Sequence, residues 1–168
     1  HHIQLLGCES PRFGFTPGTP ELARYFAMAR GVQTLSGHGD HAPGSTCGAG
    51  CAHAPHPGEG QPALEMTKWF DTNYHYLVPV LAPDQRFTLT GNRPRAAFEE
   101  ALAQGVRTRP VLLGPVTFLK LGKSKNASFD PLTLIGRLLP VYVEVLRLLA
   151  AEGATWVQID EPCLVLDL

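Results

Sequence analysis

Apolar and polar positions along the second half of the chain fall into alternating strand-like and helix-like stretches. Arg86-Phe87-Thr88-Leu89-Thr90 is a short β-prone run closed by Gly91-Asn92, and an Ala/Glu-rich stretch over residues 95–104 predicts a helix ended by Gly105. Arg109-Pro110-Val111-Leu112-Leu113 is nearly unbroken apolar and stops at Gly114-Pro115, as expected of a strand buried on both faces. A long helix follows, with Asp130 as N-cap, Pro131 in its first turn, and apolar residues at Leu132, Ile135, Leu139, Tyr142, Leu146 and Leu149 before Gly153. Pro140 is expected to kink or divide it. Trp156-Val157-Gln158-Ile159-Asp160 reads as the next strand, and Cys163-Leu164-Val165-Leu166-Asp167-Leu168 is again strand-like. Upstream, a helix is predicted from Thr19-Pro20 through Leu22, Tyr25, Phe26 and Met28 to Gly31. A mixed run, Leu64-Glu65-Met66-Thr67-Lys68-Trp69-Phe70, leads into Asp71-Thr72-Asn73-Tyr74-His75-Tyr76, and no internal repeat is evident.

Alternating strands and helices make a parallel sheet, because each crossover returns the chain to start the next strand in the same direction. The class is therefore α/β. A closed eight-stranded barrel takes about 250 residues; a chain of 168 residues with about four such strands supplies about half of one. Residues at the carboxyl ends of such strands line the active face, which here means Gly114-Pro115 and Asp160-Glu161-Pro162.

Composition narrows the classes of function. The chain is 44% hydrophobic and 17% charged, enough apolar material for one sizeable core, so disorder throughout is not expected. A formal net charge of −1 offers no global basic field for nucleic acid or an anionic membrane. No apolar run approaches the roughly 20 residues that span a bilayer, and no signal peptide opens the chain, so a cytoplasmic location is the default. Both ends read as cut, and His1-His2 leaves a tag remnant open.

Four cysteines raise the question of metal. Cys8 and Cys163 stand alone, while Cys47 and Cys51 lie near His38, His41, His53 and His56. The spacing C-x3-C sits at the outer limit of a zinc knuckle, and His53 with His56 gives only H-x2-H. Residues 37–60 are rich in Gly, Pro, Ala and His, with almost nothing apolar to fold around a metal. A flexible insertion at about 32–62 within a single 1–168 domain is the favoured reading.

The densest chemistry lies between Glu65 and Tyr76, where Lys68 stands among Trp69, Phe70, Asp71, Asn73, Tyr74, His75 and Tyr76. Aromatic and hydrogen-bonding groups around one cation suit a flat heteroaromatic ligand with a carboxylate tail. Taken alone, the run fits an edge strand with core aromatics and a solvated lysine better. Asp160-Glu161 could act as acid and base, hold a metal or bind a ligand amine; capping a following helix or pairing with Arg12, Arg30 or Arg109 is as well supported. Gly114-Pro115-Val116-Thr117 could cradle an anion at a helix start, but without a Walker lysine or G-x-G-x-x-G fingerprint a tight turn is the preferred reading. Lys120, Lys123 and Lys125 form a small basic cluster, read as a solvated face.

Four segments in order, Tyr25-Phe26-Ala27-Met28-Ala29-Arg30-Gly31, Glu65-Met66-Thr67-Lys68-Trp69-Phe70-Asp71-Thr72-Asn73-Tyr74-His75-Tyr76, Pro110-Val111-Leu112-Leu113-Gly114-Pro115-Val116-Thr117 and Trp156-Val157-Gln158-Ile159-Asp160-Glu161-Pro162, resemble the amino-terminal domain of cobalamin-independent methionine synthase. The resemblance covers nearly everything except residues 31–62, which are longer and richer in Cys and His than the family pattern. It implies a partial (β/α)8 barrel, about half of the first of two facing barrels. The implied reaction moves a methyl group from 5-methyltetrahydropteroyl-polyglutamate to homocysteine, without cobalamin, in methionine biosynthesis. Zinc held by the second barrel would stabilise the homocysteine thiolate.

By the same resemblance Lys68 matches a lysine that helps bind the folate, with Trp69, Asp71, Asn73, His75, Asp160 and Glu161 as further site-lining candidates. Asp160 matches, through the internal duplication, a second-barrel aspartate that holds the homocysteine amine, a role expected to be vestigial here. No catalytic residue and no zinc ligand is expected in this chain. The alternative is a non-catalytic truncated remnant with a binding or structural role. Half a barrel exposes sheet edges, so the isolated chain is expected to be unstable or self-associating.

Overall fold

The computed structural model describes residues 2–9, 11–32 and 60–166. In chain order its elements include helices α1 (His2–Leu5) and α2 (Glu21–Arg30), strands β1 (Met66–Lys68) and β2 (His75–Leu77), then helix α3 (Arg93–Ala103) and strand β3 (Val111–Leu113). Helices α4 (Pro115–Leu121) and α5 (Ile135–Ala151) and strand β4 (Gln158–Asp160) complete a mixed α/β chain, with 3-10 turns at Pro11–Phe13, Pro131–Leu134 and Pro162–Val165. It divides into two units, residues 11–64 and residues 1–10 with 65–168.

In the first of these units, α2 starts after Pro20 and stops at Gly31, as the sequence predicts. Gly31 has φ of 78°, and a Cβ there would sit 2.4 Å from the Gln61 carbonyl oxygen, so only glycine fits. Val32 and Gln61 exchange backbone hydrogen bonds of 2.7 Å in both directions. Of the apolar residues expected to pack along α2, Met28 is buried while Leu22, Tyr25 and Phe26 are exposed. Cys47, Cys51, their neighbouring histidines and most of the expected insertion at 32–62 lie outside the described residues.

The second unit holds two small sheets, where one parallel sheet of about four strands was expected. Strands β3 and β4 pair in parallel, with Val111 beside Gln158, Leu112 beside Ile159 and Leu113 beside Asp160. Strands β1 and β2 form an antiparallel hairpin. Residues 86–90 do not form a strand. Their partner is the end of α1, where the Thr88 and Thr90 amides reach the Leu6 and Leu5 carbonyls at 3.2 Å, and a helical segment cannot present a ladder. Strand β3 is not buried on both faces either: Leu112 is fully buried, but Val111 is 49% exposed and Ile159 on β4 is 45% exposed.

Asp130 is an N-cap, its Oδ1 accepting from the Leu132 amide at 3.0 Å, but it caps a 3-10 turn from which α5 starts at Ile135. Pro140 leaves α5 a single element. Burial of Leu138, Val141, Tyr142, Val145 and Leu149, at about 1.5–3 kcal/mol each, outweighs a penalty of about 3 kcal/mol for an interior proline. Leu139, expected inside, is exposed. Apolar residues also occupy positions 138, 141, 143, 145 and 148, so periodicity left the helix phase undetermined. Of the run expected over 163–168, the described part begins in the 3-10 turn Pro162–Val165 rather than a strand, because the Leu164 and Leu166 amides donate three residues back to Glu161 and Cys163.

Candidate functional site

Both sets of polar residues singled out in the sequence lie in the unit of residues 1–10 with 65–168. The first is the junction of β3 and β4. Parallel pairing brings their carboxyl ends level, and the Gly114 amide donates to the Asp160 carbonyl at 2.7 Å. Directly after β3 the chain enters α4, whose first-turn amides need acceptors. Pro115 has no N–H, the Val116 amide donates to Glu161 Oε1 at 3.0 Å, the Thr117 amide donates to Glu161 Oε2 at 2.7 Å, and the Phe118 amide reaches the Gly114 carbonyl. Every donor of that turn is therefore satisfied, two of them by one carboxylate whose negative charge also suits the helix dipole.

This corrects two expectations. Gly114-Pro115-Val116-Thr117 is a helix start rather than only a tight turn, and the anion it cradles is the protein's own Glu161. Glu161 caps the helix behind it in sequence rather than a following one, and among the described residues pairs with no arginine. A Cβ at Gly114 would lie 2.0 Å from Glu161 Cδ, so any other residue there must displace the carboxylate. Fully buried Thr117 adds a link, its Oγ1 accepting from the Cys163 amide at 3.3 Å. Asp160 Oδ1 accepts from Gln158 Nε2 at 2.7 Å. Arg12 instead donates to the Pro62 and Ala63 carbonyls, and the Arg30 guanidinium lies over the Phe26 ring.

Two groups that sequence reasoning missed complete the junction. The buried Tyr142 hydroxyl donates to the Leu113 carbonyl at 2.7 Å, and the Leu113 amide donates to His2 Nε2 at 2.9 Å. Burial, and then the nearby Glu161 carboxylate, raise the Tyr142 phenol, keeping it protonated as a donor. Burial lowers the His2 imidazole to about 4, keeping it neutral as an acceptor. His2 is thus a working part of the fold. Tyr142 was legible only as one apolar residue in a helical stripe, because its hydroxyl acts on a carbonyl 29 residues away.

The second setting is the β1–β2 hairpin. Lys68 stands opposite His75 and Thr67 opposite Tyr76, so Lys68 and His75 share one face, and both are exposed. Trp69, half-buried, packs its ring against Tyr76 at 5.3 Å and edge-on to Phe70 at 5.2 Å. The loop closes through the Trp69 amide on the Tyr74 carbonyl and the Thr72 hydroxyl on the Trp69 carbonyl. Phe70 has φ of 49°, the only non-glycine residue with positive φ among the described residues, a conformation costing on the order of 1 kcal/mol. Asp71 and Asn73 are exposed in that loop. Among the described residues Lys68 has no hydrogen-bond or ion-pair partner, and none joins Lys68, Asp71, Asn73 or His75 to Asp160 or Glu161.

Among the described residues no group of His, Cys, Asp or Glu could hold a metal ion. Burial pushes the Cys8 thiol up to about 12, whereas a zinc ligand must be a thiolate. Cys163 is buried as well. No helix among the described residues is long and apolar enough to cross a membrane.

A parallel strand pair with a carboxylate latched to the helix start after its first strand, together with a lysine-bearing aromatic hairpin, makes this a mixed α/β domain. The chain belongs to the cobalamin-independent synthase N-terminal domain family, whose model matches residues 1–168, the stretch 31–62 included. Among its relatives is a 5-methyltetrahydropteroyltriglutamate–homocysteine methyltransferase of Caulobacter vibrioides, 59% identical over 164 residues, covering 98% of this chain and 20% of the relative. Proteins of the same name from Nitrobacter winogradskyi and Chelativorans sp. are 55% identical over 168 residues and 53% over 163, covering 98% and 97% of this chain and 20% and 19% of theirs. The chain spans about a fifth of the length of the curated relatives it matches.

Proposed function

We propose that this chain is the amino-terminal part of a cytoplasmic methyltransferase of methionine biosynthesis, and that its hairpin helps to bind the folate substrate. The observation that carries this is identity above one half, through nearly all of the chain, to proteins named for transfer from 5-methyltetrahydropteroyltriglutamate to homocysteine. In that transfer the N5–CH3 bond breaks as the S–CH3 bond forms, and the thiol proton balances the nitrogen left on the folate. On this reading the zinc of the family would be held outside this chain.

What this chain contributes is binding. Lys68 presents an exposed ammonium, unpaired among the described residues, and is followed in the chain by Trp69, whose ring packs against those of Phe70 and Tyr76. Such a cation can meet the carboxylates of a polyglutamate tail, and the strained Phe70 backbone is a feature that concentrates at ligand sites. The parallel β3–β4 pair with helices between, and the half-exposed Val111 and Ile159 on it, support a partial (β/α)8 barrel whose remaining strands and helices would cover those residues. Lys68→Ala in the full-length enzyme is expected to raise KM for the folate triglutamate about tenfold with little change in kcat; an unchanged KM would remove Lys68 from the site.

A further inference from the structure

We propose that Thr67 is the positioning residue for Lys68, fixing where its ammonium stands by tying β1 to the end of α4; this rests on the folate-binding role proposed above for Lys68. Nothing among the described residues holds the Lys68 side chain itself, so the place of its ammonium follows from the place of β1. A two-stranded hairpin on its own is marginal and needs an anchor. Thr67 supplies one. Alternation along the strand turns its side chain away from the Lys68 face, and its hydroxyl donates to the carbonyl of Leu121 at 3.1 Å, across 54 residues of sequence.

The acceptor is well chosen. Leu121 is the last residue of α4, and the closing carbonyls of a helix have no partner within it. At the opposite end of α4, about 10 Å away, Glu161 fills the first-turn amides. The short helix is thereby held at both ends by side chains from elsewhere in the unit, and it passes that fixed position to β1.

The test is a double-mutant cycle in the full-length enzyme, reading KM for 5-methyltetrahydropteroyltriglutamate and kcat separately. Thr67→Val keeps the shape and removes the donor; it is expected to raise KM about fivefold with kcat nearly unchanged. Thr67→Ser, which restores the hydroxyl, is expected to return KM to the parent value. In a Lys68→Ala background Thr67→Val is expected to add nothing, since its effect passes through that ammonium. Multiplicative effects of the two substitutions, or failure of serine to rescue, overturn the proposal and leave the folate role of Lys68 standing. Lys68→Ala without effect on KM overturns that role and the proposal with it. Thr67→Ala runs the same cycle if the valine variant does not fold.

Discussion

The two polar clusters legible in this sequence end in opposite states. At the β3–β4 junction both oxygens of Glu161 are bonded to backbone amides, with no space left at Gly114 for even one methyl group. On the hairpin, Lys68 stands exposed with no partner among the described residues. A charge whose bonds are complete holds a fold together, whereas one left open is available to a ligand. Residue type alone would have ranked the paired carboxylates as the more chemical of the two, and the ranking reverses once their hydrogen bonds are traced.

The sharpest way to break this contrast is Gly114→Ala. The added carbon must displace Glu161, so overpacking and loss of the helix cap combine, and a loss of about 3 kcal/mol is expected in the unfolding free energy, read as a lower urea midpoint. A midpoint within experimental error of the parent would show that the carboxylate is not confined. Next in size, Glu161→Ala leaves two amides without acceptors and should cost about 2 kcal/mol, with Glu161→Gln recovering about half through its remaining carbonyl oxygen. Equal losses in both variants would mean that packing, not hydrogen bonding, is what the residue supplies. Lys68→Ala should change the unfolding free energy by under about 0.5 kcal/mol, as expected of an exposed side chain away from packed features; a larger loss would make it a structural residue like Glu161.

A pH series adds a further test. Burial lowers the folded His2 imidazole from its ordinary value to about 4, so its contribution is complete above the unfolded value of 6.5. It is lost as pH falls towards 4, because the unfolded chain takes up a proton that the folded one refuses. His2→Gln, which retains an acceptor for the Leu113 amide, should flatten that stretch of the stability profile, and an unaltered slope would assign it to other groups.

Much of the fold was legible because it depends on local signals. The stop at Gly31, the cap at Asp130 and the end of the helix over 93–103 follow from residue types within a turn of one another. What escaped was decided by partners far along the chain. Residues 86–90 have a strand's composition but lie against a helical segment, and α5 is apolar on so many positions that only packing chose its inner face. The site shows the same division. Lys68 and its aromatic neighbours sit in one continuous run, whereas Tyr142, His2 and Thr67 act on carbonyl or amide groups 29, 111 and 54 residues distant, which no local pattern reveals.

The separation of Val116 from Glu161 by 45 residues has a consequence for the order of assembly. A helix of seven residues does not persist alone in water, and the acceptor that completes its first turn lies beyond α5 and β4 in the chain. During synthesis α4 therefore lacks that cap until the chain has extended 45 residues past Val116. Its ordering should coincide with the zipping of β4 onto β3, which makes the carboxylate latch a late, long-range step that commits the unit as a whole.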